Sequence, residues 1–420
     1  LGEGQNLTKT VRLADLIDHA YAHNPFIQQA REAWRAMVES YRVTTGYPDP
    51  QLMVTWFPEP IETRLGPQDW NAQISQMIPF PGKLSKAGEL VAADTRMARL
   101  RLDMAVNETV LAIRKSFYEL WYIRQAQTVT EHNARLLDHL RKISETAHAD
   151  NRATLTDVVK AQSQTGQLQY DALLLEELEQ TEITRLNGLL NRPPDSALGA
   201  LNTPVLAPLA ADVGTIYQLA EANQEEILMA QVGVDKRDTQ VSLARFQNLP
   251  DFKVGLFYAS IGKPDVAVLP QDAGRDAIGF QAGVSIPLWL GKNKSRIDKA
   301  RAEKSKALAE KQMRINAVQT KIRTLYLKTR NSQRIVTLYK MDLVPQAARA
   351  MEMAEVWYRE GESSFTDFIE TQSVWYNFQL ALARAKADYG INLAQLERMA
   401  GTHLTGDVQI PMSPAGKEPQ

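Results

Sequence analysis

Trp70-Asn71-Ala72-Gln73-Ile74-Ser75-Gln76-Met77-Ile78 decides the fold of this chain. Trp70, Ala72, Ile74, Gln76 and Ile78 fall on one parity, Asn71, Gln73, Ser75 and Met77 on the other, and a period of two marks a strand with unlike faces. The pattern recurs where Phe280, Ala282, Val284 and Ile286 alternate with Gln281, Gly283 and Ser285. Leu52, Val54 and Trp56, and then Phe252, Val254, Leu256 and Tyr258, alternate in the same way. Strands are therefore expected at about 51–58, 70–79, 251–260 and 277–287. The Gln, Ser, Asn and Lys face suits a water-filled lumen. The apolar face, with Trp56, Trp70 and Tyr258 near segment ends, suits lipid and its aromatic girdles. Four strands are too few to close a barrel, and an open sheet would leave bare edges in lipid. Three copies give a trimeric twelve-stranded transmembrane β-barrel, an even number within the bacterial range.

The chain is also written twice. Ala20, Ala22, Ile27 and Ala30 return as Ala220, Ala222, Ile227 and Ala230, and Pro50, Val54 and Phe57 return as Pro250, Val254 and Phe257. Ile78-Pro79 answers Ile286-Pro287, Gly82-Lys83 answers Gly291-Lys292, and Ile113-Arg114 answers Ile322-Arg323. Thr156-Asp157 and Gln162-Ser163 match Thr366-Asp367 and Gln372-Ser373. Order is kept and the offset drifts only slightly, which points to internal duplication. The expected division is an N-terminal segment at 1–12 and a first repeat at 13–190, whose helical hairpin begins near 83. A Pro-rich connector at 191–212 follows, then a second repeat at 213–402 with its hairpin at about 292–400. Residues 403–420, rich in Pro, Gly and polar types, read as a disordered tail.

Residues 89–165 and 292–344 contain neither Gly nor Pro, and runs of that length exceed the helices of ordinary domains. Leu90, Met97, Met104, Leu111 and Tyr118 keep a seven-residue period, as do Leu308, Ile315, Ile322 and Val336 with Thr329 between them. Sustained heptads specify a left-handed coiled coil. The expected class is a mixed α+β membrane protein, mostly α, whose barrel is continued by a long α-helical coiled-coil barrel. Heptads alone would equally suit a non-transporting coiled-coil scaffold, and the alternating strands decide against it.

Basic and acidic residues number 48 and 49, a balance unlike the basic excess of nucleic-acid binders. Cysteine is absent, which removes disulfides, thiolate metal sites and cysteine nucleophiles. No Walker-type phosphate loop, Ser/His/Asp order or zinc-binding His-Glu motif is present, so neither an enzyme nor a cofactor is expected. His19 and His23, four apart with Asp15 a turn earlier, have a spacing that suits a metal. With six scattered histidines, ordinary helix-surface residues are the plainer reading.

Short helix, strand hairpin and long coiled coil, given twice, resemble the TolC-type outer-membrane efflux proteins over nearly the whole chain. The specific marks are Gln76-Met77-Ile78-Pro79-Phe80-Pro81-Gly82-Lys83, with its echo in residues 286–292, and the paired helix turns at residues 151–157 and 358–367. The resemblance implies a homotrimer in the bacterial outer membrane whose helical tunnel extends into the periplasm. Its partners would be a periplasmic adaptor (membrane fusion) protein and an inner-membrane pump of the RND or ABC type. It implies passive export of metal ions or small toxic compounds; a type I protein-secretion duct is the alternative within the family. Phe80-Pro81-Gly82-Lys83 points toward the heavy-metal branch. By resemblance, Asp367 and Glu370, three apart on one helix face, form the pore constriction. Asp157 and Tyr358 supply links that hold the gate closed, and Asn151, Arg152, Gly361 and Glu362 are the tips that meet the adaptor. The family pattern carries an arginine two residues past the tip glycine; here Ser363 stands in its place, so that either Arg152 or Arg359 substitutes or the closed state is held differently.

Overall fold

A computed structural model describes residue 7 and residues 9–149 and 154–405. Asn151 and Arg152, and the parts of the terminal segments at 1–6 and 406–420, lie outside the described residues. The chain divides into two compact units. One comprises Glu32–Leu100 and Met229–Met313; the other comprises Leu1–Arg31, Arg101–Leu228 and Arg314–Gln420.

The alternating segments form one antiparallel sheet of four strands in sequence order: β1 (Gln51–Thr63), β2 (Gly66–Ile78), β3 (Asp251–Ile261) and β4 (Ala277–Ser285). β1 and β4 are therefore its two free edges. β1 runs five residues beyond the expected end at 58, through Pro58 and Pro60, with its register to β2 broken between Trp56 and Ile61. Proline lacks the N–H a ladder needs and is tolerated on an edge strand or at a bulge, and both conditions hold here. The β1–β2 turn requires glycine: Gly66 has φ +134°, and a Cβ there would lie 1.8 Å from the Gly262 carbonyl oxygen. Helices α2 (Pro25–Thr45), α3 (Lys83–Ala149), α6 (Glu225–Phe246) and α7 (Leu290–Leu338) contribute to the same unit. There they are cross-tied by Lys236–Asp94 at 2.6 Å, Lys304–Asp238 at 2.6 Å and Arg237–Glu303 at 2.8 Å.

The other unit is helical. It adds α1 (Leu13–His23), α4 (Leu155–Leu189), α5 (Val213–Asn223), α8 (Val344–Glu360) and α9 (Phe365–Ala400). A five-residue π turn, Tyr339–Leu343, joins α7 to α8. The duplication is visible in its packing. Leu16, Ala20, Ile113, Phe117 and Leu186 build one core, and Ile216, Ala220, Ile322, Leu325 and Leu396 build the second. Asn24 and Gln224 occupy matching positions, each buried. Each accepts, through its amide oxygen, the N–H groups two and three residues on, opening α2 and α6 alike. Such bonds satisfy donors that a helix start leaves unpaired. The connector runs extended, pairing Leu201 with Val11 in a parallel bridge.

Heptad periodicity holds in α3, with a phase unlike that read from hydrophobicity. Of the expected row Tyr118 is buried, whereas Leu90, Met97, Met104 and Leu111 are only half-buried. The fully buried row is Leu102, Thr109, Ser116, Ile123, Thr130, Leu137 and Ser144, seven residues apart throughout. Small hydroxyl residues fit this seam because they allow close approach and bond locally: Thr109 Oγ1 donates to the Ala105 carbonyl at 2.8 Å. Close approach is sharpest at Gly390, where a Cβ would lie 2.3 Å from the Tyr118 ring. Gly390→Ala should destabilise by about 1–3 kcal/mol through overpacking, and pairing it with Tyr118→Leu should recover most of that in thermal unfolding.

Candidate channel-forming site

Strand register assigns every sheet residue to a face. Leu52 pairs with Ile74, Ile74 with Leu256, and Leu256 with Phe280. Val54, Ala72, Tyr258 and Ile278 form the next such row. Directly opposed residues share a face, so one side of all four strands is an apolar surface broken by Gln76, which pairs with Val254. It is exposed, reaching 89% at Phe280. The opposite side carries Gln51, Thr55, Asn71, Gln73, Ser75, Lys253 and Gln281, interspersed with Met53, Met77 and Phe257. Gln73 donates to Gln281 across it. A sheet with one bare, mainly apolar side, one mainly polar side and two open edges is what a segment of membrane barrel requires. Among the described residues no helix is long and apolar enough to cross a membrane.

The junction that begins α3 shows why residues 76–83 take their form. Gly82 has φ +96°, with the Phe246 ring 2.5 Å from where a Cβ would stand. Lys83 Nζ donates to Asp251 at 2.7 Å and to the Leu249 carbonyl at 2.8 Å, and Asp251 also accepts the Phe80 N–H at 2.8 Å. One lysine and one aspartate thus fasten the strand exit to the neighbouring hairpin.

Within the helical unit, Gly361 closes α8 in the left-handed conformation at φ +79°. Glu362 N–H reaches the Trp357 carbonyl at 2.8 Å and Gly361 N–H the Tyr358 carbonyl at 3.2 Å, the two bonds of a Schellman cap. Three residues on, Ser364 and Asp367 form a reciprocal capping box: Ser364 Oγ donates to Asp367 at 2.7 Å, and Asp367 N–H returns to Ser364 Oγ at 3.1 Å. Thr154 and Asp157 repeat the device on α4, with Thr154 Oγ1 donating at 2.7 Å. Glu370, one turn beyond Asp367, is exposed and lines a groove with Leu155, Val159, Lys160 and Thr366. Lys160 Nζ donates to Thr366 Oγ1 at 2.8 Å, joining α4 to α9.

Within this chain Asp157 and Tyr358 are engaged separately. The Asp157 carboxylate belongs to its own cap, whereas the Tyr358 hydroxyl lies 2.9 Å from Ser144 Oγ and its ring packs tilted against Phe365 and Phe368. Tyr358 therefore knots α3, α8 and α9. Ser144 and Lys160 are contact residues that hydrophobicity reading passes over, although Ser144 ends the seven-residue row of α3. Arg359 lies within 3.8 Å of Glu355 on its own helix.

One buried ion pair binds the repeats together directly, and a second, inside the second repeat, is joined by a buried asparagine of the first. Arg114 on α3 meets Glu397 on α9 at 2.6 Å, and Arg398 meets Glu225 at 2.7 Å with Asn107 Nδ2 donating to the same carboxylate. Burial pushes the Glu397 carboxyl up. His403, the Arg114 charge and the Leu404 N–H outweigh that push and hold it at about 2. His403 Nδ1 stands 3.7 Å away, too far for a hydrogen bond, which leaves Arg114 as the principal partner. Asp15 is taken by Arg12 at 2.7 Å, and the His23 ring turns its Nδ1 to the His19 carbonyl at 2.9 Å. Among the described residues no group of His, Asp or Glu is placed to hold a metal.

Comparison with known proteins agrees with this geometry. Residues 216–402, the second repeat, match the family model described as outer membrane efflux protein. No curated protein sequence matches closely enough to count as a relative. Among solved structures, the outer membrane protein VceC of Vibrio cholerae is 18% identical with a TM-score of 0.76, covering 93% of this chain and 96% of its own. The open-state MtrE outer membrane channel of Neisseria gonorrhoeae is 15% identical with a TM-score of 0.75, covering 94% and 90%. The CmeC outer membrane channel of Campylobacter jejuni is 14% identical with a TM-score of 0.70, covering 93% and 85%. Identities this low speak for the fold, and the family match speaks for the repeat on which that fold is twice built. Residues 216–402 thus carry an outer membrane efflux protein domain, and over most of its length the chain has the fold of these solved outer membrane channels.

Proposed function

We propose that three copies of this chain close a twelve-stranded barrel in the outer membrane, continued by a helical tunnel in the periplasm, and that the assembly is a passive duct for metal ions or small toxic compounds. The observation that carries it is the sheet, with free edges at β1 and β4 and an exposed, mainly apolar face. Pairing β4 of one copy with β1 of the next removes every edge from lipid. An adaptor protein and an inner-membrane pump, RND or ABC in type, supply the energy, and the duct itself hydrolyses nothing. The capped turn at Gly361 and Glu362, with Asn151 and Arg152 at the other tip, is the surface offered to the adaptor. Asp367 and Glu370 stand on adjacent turns of α9; under threefold symmetry they become two carboxylate rings, which attract cations and resist anions. Asp157 and Tyr358 restrain this end, with Tyr358 acting through Ser144 inside each copy.

Single-channel conductance of detergent-purified protein in a planar bilayer tests the reading. Small cation-selective openings are expected, growing at least about twofold and losing selectivity in Asp367→Ala/Glu370→Ala. Openings unchanged by the substitutions would keep the duct and remove the carboxylate gate. Protein that never needs detergent and never conducts would be a coiled-coil scaffold instead.

A further inference from the structure

The two repeats part company at one matched point. Gly82-Lys83 and Gly291-Lys292 are counterparts in sequence, each following a strand. In the first repeat the segment is tied inward: Phe80 stacks on Phe252, Gly82 abuts Phe246 and Lys83 bonds Asp251. In the second it faces outward. Leu288, Trp289 and Leu290 are 73, 75 and 80% exposed, and beyond the adjoining residues and backbone of its own helix nothing lies within 4 Å of the place a Gly291 Cβ would take. This exposure is built rather than loose. Buried Asn293 donates its Nδ2 to the Pro287 carbonyl at 2.9 Å, and its N–H reaches the Trp289 carbonyl at 3.0 Å.

The cations beside it are similarly sorted. Arg296, Arg301 and Lys304 are occupied by Asn248, Asp298 and Asp238. Lys292 and Lys294, both exposed, have neither a hydrogen bond nor an ion pair among the described residues. Two free ammonium groups thus stand next to an apolar, tryptophan-bearing wedge. The wedge continues the apolar row of β4 through Val284 and Ile286, at the end of the sheet from which the helices leave.

We propose that Leu288, Trp289 and Leu290, with Lys292 and Lys294, form a docking surface for an anionic glycerophospholipid of the phosphatidylglycerol type, in the leaflet on the helical side of the barrel. It rests on the reading that the apolar sheet face meets lipid. The chemistry matches part by part. The leucines reach the acyl chains, the indole ring takes the headgroup level that tryptophan favours, and the lysine stems lie on apolar surface while their ammonium groups meet phosphate. A zwitterionic lipid satisfies the wedge and leaves the lysines without a net counter-charge.

The test reconstitutes the full chain into vesicles of equal parts phosphatidylcholine and phosphatidylglycerol, with bromine on the acyl chains of one lipid or of the other. Bromine quenches nearby tryptophan, and the Trp289 component is obtained by subtracting the fluorescence of Trp289→Phe. Brominated phosphatidylglycerol should quench that component at least about twofold more than brominated phosphatidylcholine, since each lysine near an anionic surface favours it roughly fivefold. In Lys292→Gln/Lys294→Gln, both substitutions lying on exposed side chains, the two lipids should quench alike. Equal quenching in the wild type, or a preference that survives the double substitution, overturns the proposal. If the double substitution instead breaks the assembly and leaves lipid preference intact, a second copy occupies the surface and the proposal falls. Trp289 dark to both lipids while the remaining tryptophans are quenched would leave the barrel standing and remove this surface. No quenching of any tryptophan would mean that the membrane reading itself had failed.

Discussion

Arg114→Met should lower stability by about 3–5 kcal/mol, because it leaves a carboxylate buried without its counter-charge. Glu397 is 1% exposed and Arg114 7%, so solvent can replace little of what is lost. The two residues lie on helices of different repeats, and the loss should therefore appear in global unfolding rather than in one hairpin. Glu397→Gln/Arg114→Met should be far milder than Arg114→Met alone, since removing both charges also removes the desolvation cost. The pH dependence has a definite sign. Folding depresses the Glu397 carboxyl to about 2 from an ordinary 4.5. Its contribution is thus complete above about pH 4.5 and is lost as pH falls towards 2. Without Arg114 the burial that raises this carboxyl remains and its main opponent is gone. Acid unfolding should then begin at higher pH than in the wild type. Denaturant titrations at neutral and acid pH check both statements; a single substitution as mild as the double one would show that the pair does not join the repeats.

Leu256→Arg should be the most damaging single change in the sheet, costing about 2–4 kcal/mol if the residue sits near the bilayer midplane. Leu256 lies between Ile74 and Phe280 in the four-strand row, so both of its directly opposed neighbours are apolar. Gln281→Arg, on the neighbouring strand and the opposite face, should be tolerated and should alter ion selectivity instead. Unfolding in lipid vesicles compares the two. Equal costs would mean that the two faces do not see different solvents, and the barrel assignment would fail with them.

What the sequence makes legible here follows from which physical signals leave a mark on residue type. The parity of apolar residues at 70–78 and 277–286 reports a sheet with unlike faces, because each face meets one environment. Gly361 is readable as a turn because the left-handed cap excludes most other residues. Period is readable in α3 and phase is not. Its buried row passes through Thr109, Ser116, Thr130 and Ser144, where tight approach selects small size over hydrophobicity. The extension of β1 through Pro58 and Pro60 is hidden for a related reason, since proline's veto on strands lapses at an edge that only the tertiary structure defines. The site was legible only to the first degree: acidic positions after each tip can be found by matching the halves. That Asp157 and Asp367 are held by Thr154 and Ser364, and that Tyr358 turns to Ser144, depends on rotamers and on helix rotation.

The π turn between α7 and α8 has a consequence for how the long helix winds. Before it, Ile322, Thr329 and Val336 meet the core at steps of seven; after it, Ala347 and Ala354 resume the same step. From Val336 to Ala347 the interval is eleven, a four-residue stutter, and a stutter locally unwinds a left-handed coil. The backbone continues while the superhelical count restarts. Two separately phased segments thus share one rod, and a change in the pitch of one need not re-aim the side chains of the other.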